Sequence, residues 1–202
     1  MLHLLGKIPT DCYVAVSGGA DSMAVLDFAN NNKRKITVLY FNHGTSFGKE
    51  SQKFLEDYCS FKNLELKIGQ ISQEKSTDQS WEEYWRIQRY NWFANFSDKP
   101  ILMAHNLNDQ MENWLFTSFH GCGRLIPYSN KNIIRPFMLN SKSKLIDWCV
   151  SHNVLWLEDP SNQDVKYMRN KIRADILPEV LKVNPGFAKV IAKKVKCLYV
   201  VS

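Results

Sequence analysis

The sequence predicts an α/β fold: a doubly wound, mostly parallel five-stranded sheet with helices on both faces and a helical extension at the C-terminal end. Three observations predict it. Short apolar runs alternate with longer segments whose apolar residues recur at helical spacing, as in strands joined by right-handed crossovers. The first run, Cys12 to Val16, passes through Ser17-Gly18-Gly19-Ala20-Asp21-Ser22 straight into a helical pattern, Met23 to Ala29. The 202 residues, 45% hydrophobic and 12% aromatic, suffice for one large domain with an appendage, and we place the division at 1–158 and 159–202.

The remaining elements follow in order. Ile36 to Phe41, β-branched and aromatic, predicts the second strand, ended by Asn42-His43-Gly44. Phe54, Leu55, Tyr58 and Phe61 give an amphipathic helix over 50–61, and Leu64 to Ile68 a third strand. The polar stretch Ile71 to Ser80 reads as a loop. Trp81 to Phe96 is a helix whose aromatic stripe reads as core, with Arg86 and Arg89 on its polar side. Pro100 to Ala104 is the fourth strand and runs into a helix carrying Asp109 and Glu112, three apart on one face. His120 to Arg124 reads as a flexible loop over the site, and Ile133-Ile134 as a fifth strand. Helices follow over 142–152 and 165–177. In the latter, Arg169 and Arg173 stand four apart. Like charges at that spacing cost stability unless an anion lies between them, which favours a phosphate or carboxylate partner.

The first turn carries the chemistry. Gly18 and Gly19 permit a tight turn and a close backbone approach, and the following helix N-terminus favours an anion. Ser17 and Ser22 add hydroxyl donors. Asp21 would repel phosphate unless a cation bridged the two, which suggests Mg²⁺. In open parallel sheets ligands sit at the carboxyl ends of the strands, where Ser17, His43 and His105 all fall. The loop fits neither G-x-x-x-x-G-K-[ST] nor G-x-G-x-x-G.

Composition bounds the rest. No apolar run approaches the ~20 residues that span a bilayer, and Met1 to Lys7 lacks a signal-peptide pattern, so a cytoplasmic protein is expected. Five scattered cysteines form no C-x-x-C pair, which argues against a zinc ribbon. Most read as core, with Cys122 the exception to watch. The net charge is +6, and 11 basic against 6 acidic residues lie from Ser141 onward. Lys182, Lys189, Lys193, Lys194 and Lys196 are open to two readings, a solvated helix face or a phosphate-backbone contact.

Taken together, several segments resemble the catalytic domain of the tRNA(Ile)-lysidine synthase family, one of the N-type ATP pyrophosphatases of the PP-loop superfamily. They are Ser17 to Ser22, Phe41-Asn-His-Gly44, Glu83-x-x-Arg86-x-x-Arg89-Tyr90, Ala104 to Glu112, Ile134-Arg-Pro136, and Glu158-Asp-Pro-Ser-Asn162 followed by Tyr167-x-Arg169-Asn170-x-x-Arg173. The resemblance covers nearly the whole chain and implies an adenine nucleotide alpha hydrolase-like, Rossmann-like fold.

It also implies an activity. ATP adenylates O2 of the wobble cytidine in an isoleucine tRNA with a CAU anticodon. Free L-lysine then displaces AMP to form lysidine. Ser17, Gly18, Gly19, Asp21, Ser22 and His43 would hold ATP, with Asp21 and Asp109 on Mg²⁺. Asp21, His105, Asp109 and Glu112 would be catalytic. Arg86, Arg89, Asp159, Asn162, Arg169, Asn170 and Arg173 would contact nucleotide or tRNA. The chain departs from the family's His-His-x-Asp-Asp by reading His105-Asn106-Leu107-Asn108-Asp109, and its 120–127 loop is shorter. With only the catalytic domain covered, the basic stretch 182–196 or a second copy of the chain is expected to help grip the tRNA. Two alternatives stand beside this: a tRNA-thiolating relative using Cys122, and a non-catalytic ATP- or tRNA-binding remnant.

Overall fold

The computed structural model describes residues 1–71, 75, 80–160 and 168–201. At its centre lies β1 (Asp11–Ala15), flanked by β2 (Lys35–Asn42) and β4 (Ile101–Leu102). With β3 (Glu65–Gln70), β5 (Ser129–Asn130) and β6 (Ile133–Ile134), the order is β3-β2-β1-β4-β6-β5. All pairings are parallel except β5 with β6. The sheet therefore has six strands rather than five. The extra one is a two-residue hairpin arm at the edge, too short to leave an apolar pattern in the sequence.

Side chains alternate across β1, as a strand's period of two requires. Cys12 and Val14 join one apolar cluster with Met23, Leu26, Leu55, Leu145 and Cys149. Tyr13 joins another with Leu39, Ile101, Met103, Ile133 and Phe93. Both sheet faces are thus buried, which accounts for runs without polar alternation. The first face is covered by α1 (Ala20–Asn31), α2 (Ser46–Lys62) and α5 (Lys142–Ser151). On the second lies α3 (Trp81–Phe93). A third cluster joins Leu107 and Met111 of α4 (Leu107–Phe119) to Leu177, Ile191 and Val195.

Helix starts follow capping residues. Thr45 accepts from Gly48 N–H and so begins α2 four residues before the apolar spacing does. Ser80 accepts from Glu83 N–H, and Ser141 from Lys144 N–H. After α6 (Met168–Lys171) comes a π-helical turn, Ile172–Ile176, then α7 (Leu177–Val183) and α8 (Phe187–Val201). Pro178 stands at the start of α7. Its ring has no N–H and would crowd the carbonyl four residues back. The widened turn, closed by Leu177 N–H to the Ile172 carbonyl, accommodates it. Among the described residues no helix is long and apolar enough to cross a membrane.

Candidate active site

β2 and β4 lie on opposite sides of β1, so a crevice opens at the carboxyl ends of the strands. β1 leaves through Val16 into the glycine-rich loop. Gly18 has φ 87°, a left-handed conformation that glycine takes at little cost. Its carbonyl accepts the Leu157 N–H at 2.9 Å, so the short apolar segment 154–157 pins the loop. Ser22 Oγ accepts the Ser17 N–H at 3.1 Å and donates to the Gly19 carbonyl at 2.9 Å. Gly19 is the N-cap of α1 and offers no side-chain acceptor. The first N–H groups of α1 are therefore free for an anion, with the helix dipole behind them.

β4 leaves through Met103, Ala104 and His105 into α4. Asn106 Oδ1 accepts from the N–H groups of Asn108 and Asp109 at 2.8 and 3.1 Å. Asp109 Oδ2 in turn accepts the Asn106 N–H at 2.8 Å. This reciprocal cap fixes Asp109 by the helix start itself. Asn108 Oδ1 accepts the backbone N–H of Lys142 at 3.0 Å and ties α5 to the same place. The two asparagines that depart from the family pattern are thus occupied in building the helix start, while Asp109 reaches the cleft.

The cleft measures about 930 Å³ and is lined by Ser17, Gly19, Asp21, Ser22, His43, Arg89, His105, Asp109, Asp159 and Arg173. That is ample for a nucleotide with part of a second substrate. Lys142, Phe41 and Trp156 also line it, and reading the sequence alone missed all three. For Lys142 a signal existed: a cation in the first turn of a helix works against the dipole. Gly18 stands in the loop beside the cleft.

Burial raises the Asp21 carboxyl above its usual range; Lys142 and Arg173 oppose this and Glu112 reinforces it. Burial also pushes Asp109 up to about 7, against the Asn106 N–H and with the charges of Glu112 and Asp21. Asp21 Oδ1 is buried with no hydrogen-bond partner. Such a crowd of carboxylates with an orphaned oxygen fits a divalent cation. Among the described residues no group of three or more His, Cys, Asp or Glu could hold a metal alone. This donor set suits Mg²⁺, which commonly takes one or two carboxylates and completes its shell with phosphate and water oxygens. Burial, with nearby arginines, brings His43 down to about 4 and His105 down to about 3. Both imidazoles are neutral at pH 7, and the Nδ1 of each is buried with no hydrogen-bond partner.

Several expectations need correction. Arg169 and Arg173 do not share one anion. Arg169 Nε pairs with Glu82 at 2.8 Å. Arg173 forms a bidentate pair with Glu112, at 2.7 and 3.0 Å. Arg169 lies in α6 and Arg173 in the π turn, and the anions that offset them belong to the chain. Glu112 is buried behind the cleft in that pair and does not line it. Arg86 is exposed, and neither it, Arg169 nor Asn170 lines the cleft. The 120–127 loop does not cover the site. Gln110 bonds both the N–H and the carbonyl of Ile126 at 2.9 Å, and Asn113 donates to the Arg124 carbonyl at 2.8 Å, so α4 holds this loop. Cys122 is exposed and away from the cleft. Asn162 lies outside the described residues.

Residues 4–180 match the PP-loop domain family. The chain is 35% identical over 186 residues to the tRNA(Ile)-lysidine synthase of Staphylococcus aureus (strain COL), covering 83% of this chain and 43% of that protein. It is 29% identical over 194 residues to the protein of the same name from Haemophilus ducreyi, covering 91% and 45%. The chain thus spans less than half the length of these curated relatives. Among solved structures it resembles an NH3-dependent NAD synthetase from Campylobacter jejuni, with TM-score 0.55 and 14% identity over 96% of this chain and 87% of that one. An NMN synthetase from Francisella tularensis gives TM-score 0.52 and 14% identity over 83% and 76%. At these identities the structures speak to the fold alone.

Proposed function

This chain belongs to the PP-loop domain family, and on that premise we propose that it binds ATP in the cleft and modifies tRNA as a lysidine synthase. The observation that carries the reading is a convergence at one sheet edge. An uncapped, serine-locked glycine loop meets two half-buried carboxylates, Asp21 and Asp109.

The loop N–H groups with Ser17 and Ser22 hold the pyrophosphate portion of ATP. Lys142, whose charge reaches Asp21, offsets negative charge as pyrophosphate departs. Asp21 and Asp109 hold Mg²⁺, which supplies charge neutralisation at the phosphates. In the first step a bond forms between the α-phosphorus and O2 of the wobble cytidine, and pyrophosphate leaves. In the second, the ε-amine of free lysine bonds to C2 and AMP leaves with that oxygen. Little covalent help is needed; positioning and electrostatics carry the rate. Neutral His105, which lines the same cleft, is placed to orient the amine, whose proton passes on to water. Arg173, held by Glu112, and Arg89 face the substrates, while Asp159, Asn162, Arg169 and Asn170 are assigned to the RNA side.

Pyrophosphate release from ATP, measured with tRNA and lysine together and with each omitted, tests this. Release that requires tRNA, and that continues past one equivalent only when lysine is present, supports the reading. Release indifferent to tRNA, or none while ATP binds, contradicts it.

A further inference from the structure

Arg89 lines the cleft and Arg135 does not; the two lie on either side of Tyr90, and neither has a counter-ion among the described residues. Arg135 is 3% exposed. It donates from Nη1 to the Pro127 carbonyl at 3.0 Å and from Nη2 to Tyr90 OH at 3.2 Å. Both acceptors are neutral, and Nε is buried with no partner. Arg89 lines the cleft, and its Nε is likewise buried and unpartnered. The Tyr90 ring gathers the group: the Arg86 and Arg89 guanidinium carbons lie 5.6 and 5.8 Å from its centroid. Among the described residues neither Arg89 nor Arg135 enters a salt bridge, whereas Arg169 and Arg173 each have a carboxylate.

A buried guanidinium with only neutral acceptors is costly unless an anion completes it. Cation–π contact and the tyrosine hydroxyl offset part of that cost. Arginine's rigid fork suits a planar or tetrahedral oxyanion. We propose that Arg89, backed by the Tyr90 ring whose hydroxyl Arg135 holds, forms a second oxyanion subsite in the cleft that takes a single carboxylate or phosphate group of the co-substrate. Assigning it to the carboxylate of lysine, or to a phosphate of the RNA, rests on the function proposed above; the subsite itself does not.

The test is equilibrium dialysis of three probes against the whole chain: L-lysine, cadaverine (lysine without its carboxylate) and inorganic phosphate. Arg89→Gln and Arg135→Gln are compared with wild type, and ATP binding is followed as a control for the loop. A carboxylate subsite gives lysine affinity roughly 10- to 100-fold weaker in both variants, the loss of a charge-assisted hydrogen bond. Cadaverine binding then stays equal in all three proteins. A phosphate subsite instead leaves lysine unchanged and removes one of two phosphate equivalents. Lysine that fails to bind wild type, with a phosphate equivalent still lost, sinks the lysidine reading and keeps the subsite. Unchanged lysine and phosphate binding in both variants overturns the proposal. Arg89→Gln is expected to melt no lower than wild type without ligand, since it removes an uncompensated charge. Should it fail to fold, Arg89→Lys keeps the charge but loses the fork, and the same probes decide.

Discussion

Replacing Arg173 with glutamine removes the cation of a bidentate pair whose two partners differ in depth. The Glu112 side chain is 5% exposed and that of Arg173 37%. Losing Arg173 strands a buried carboxylate beside Asp109 and Asp21, both of which feel its charge. Breaking a buried pair in that way costs about 3–5 kcal/mol, and partial exposure of the arginine points to the lower end, about 3 kcal/mol. Glu112→Gln is different. Arg173 can turn to water, and the remaining carboxylates lose a repulsive neighbour, so the cost is about 1 kcal/mol. For a chain of this size, Arg173→Gln should lower the melting temperature by about 6–12 °C and Glu112→Gln by about 2–4 °C. Urea unfolding of the two single variants and the double variant at pH 7.5 measures the asymmetry, and the double variant should recover part of the Arg173→Gln loss. Equal costs, or a larger cost for Glu112→Gln, would refute the reasoning.

Four further outcomes are expected. Asp21→Asn should cut pyrophosphate release by at least ~10²-fold without lowering the melting temperature, because a half-buried carboxylate with a raised pKa destabilises the fold at neutral pH; normal turnover would remove Asp21 from the metal site. Asn106→Ala should cost about 1 kcal/mol through loss of the helix cap, seen as a lower urea midpoint at unchanged slope. His43 is held at about 4 against an ordinary 6.5, so the unfolded chain takes up its proton first. Stability from this residue is present above pH 6.5 and lost as the pH falls toward 4, by about 2 kcal/mol between pH 7.5 and 5; His43→Gln should flatten that part of the stability profile. Neutralising Lys193, Lys194 and Lys196 together should weaken tRNA binding and reduce its salt dependence, whereas unchanged binding would leave α8 a solvated face.

Local chemistry and spacing made much of the site legible in advance. A strand, two glycines and a helix in immediate succession leave few options for the backbone, and Ser17 to Ser22 folds as that pattern requires. Asp109 was legible because a helix begins where a strand exits the sheet. What stayed hidden depended on contacts distant in sequence. The carboxylates facing Arg169 and Arg173, from Glu82 and Glu112, come from other helices. Arg135 meets Tyr90 from 45 residues away. The β5 arm spans two polar residues and is specified by its pairing with β6. Asn106 and Asn108 looked like lost titratable groups, and only the hydrogen bonds of the α4 start give them work. Pro178 was visible, but the π turn before it required knowing that the helix continues past it.

The most direct test of the central claim is incorporation of labelled lysine into isoleucine tRNA bearing CAU, with ATP and Mg²⁺ present. Label that enters the tRNA, and stays out when the wobble cytidine is replaced, is the predicted result. Label that never enters while ATP still binds, or that enters irrespective of that cytidine, would contradict lysidine synthesis by this chain.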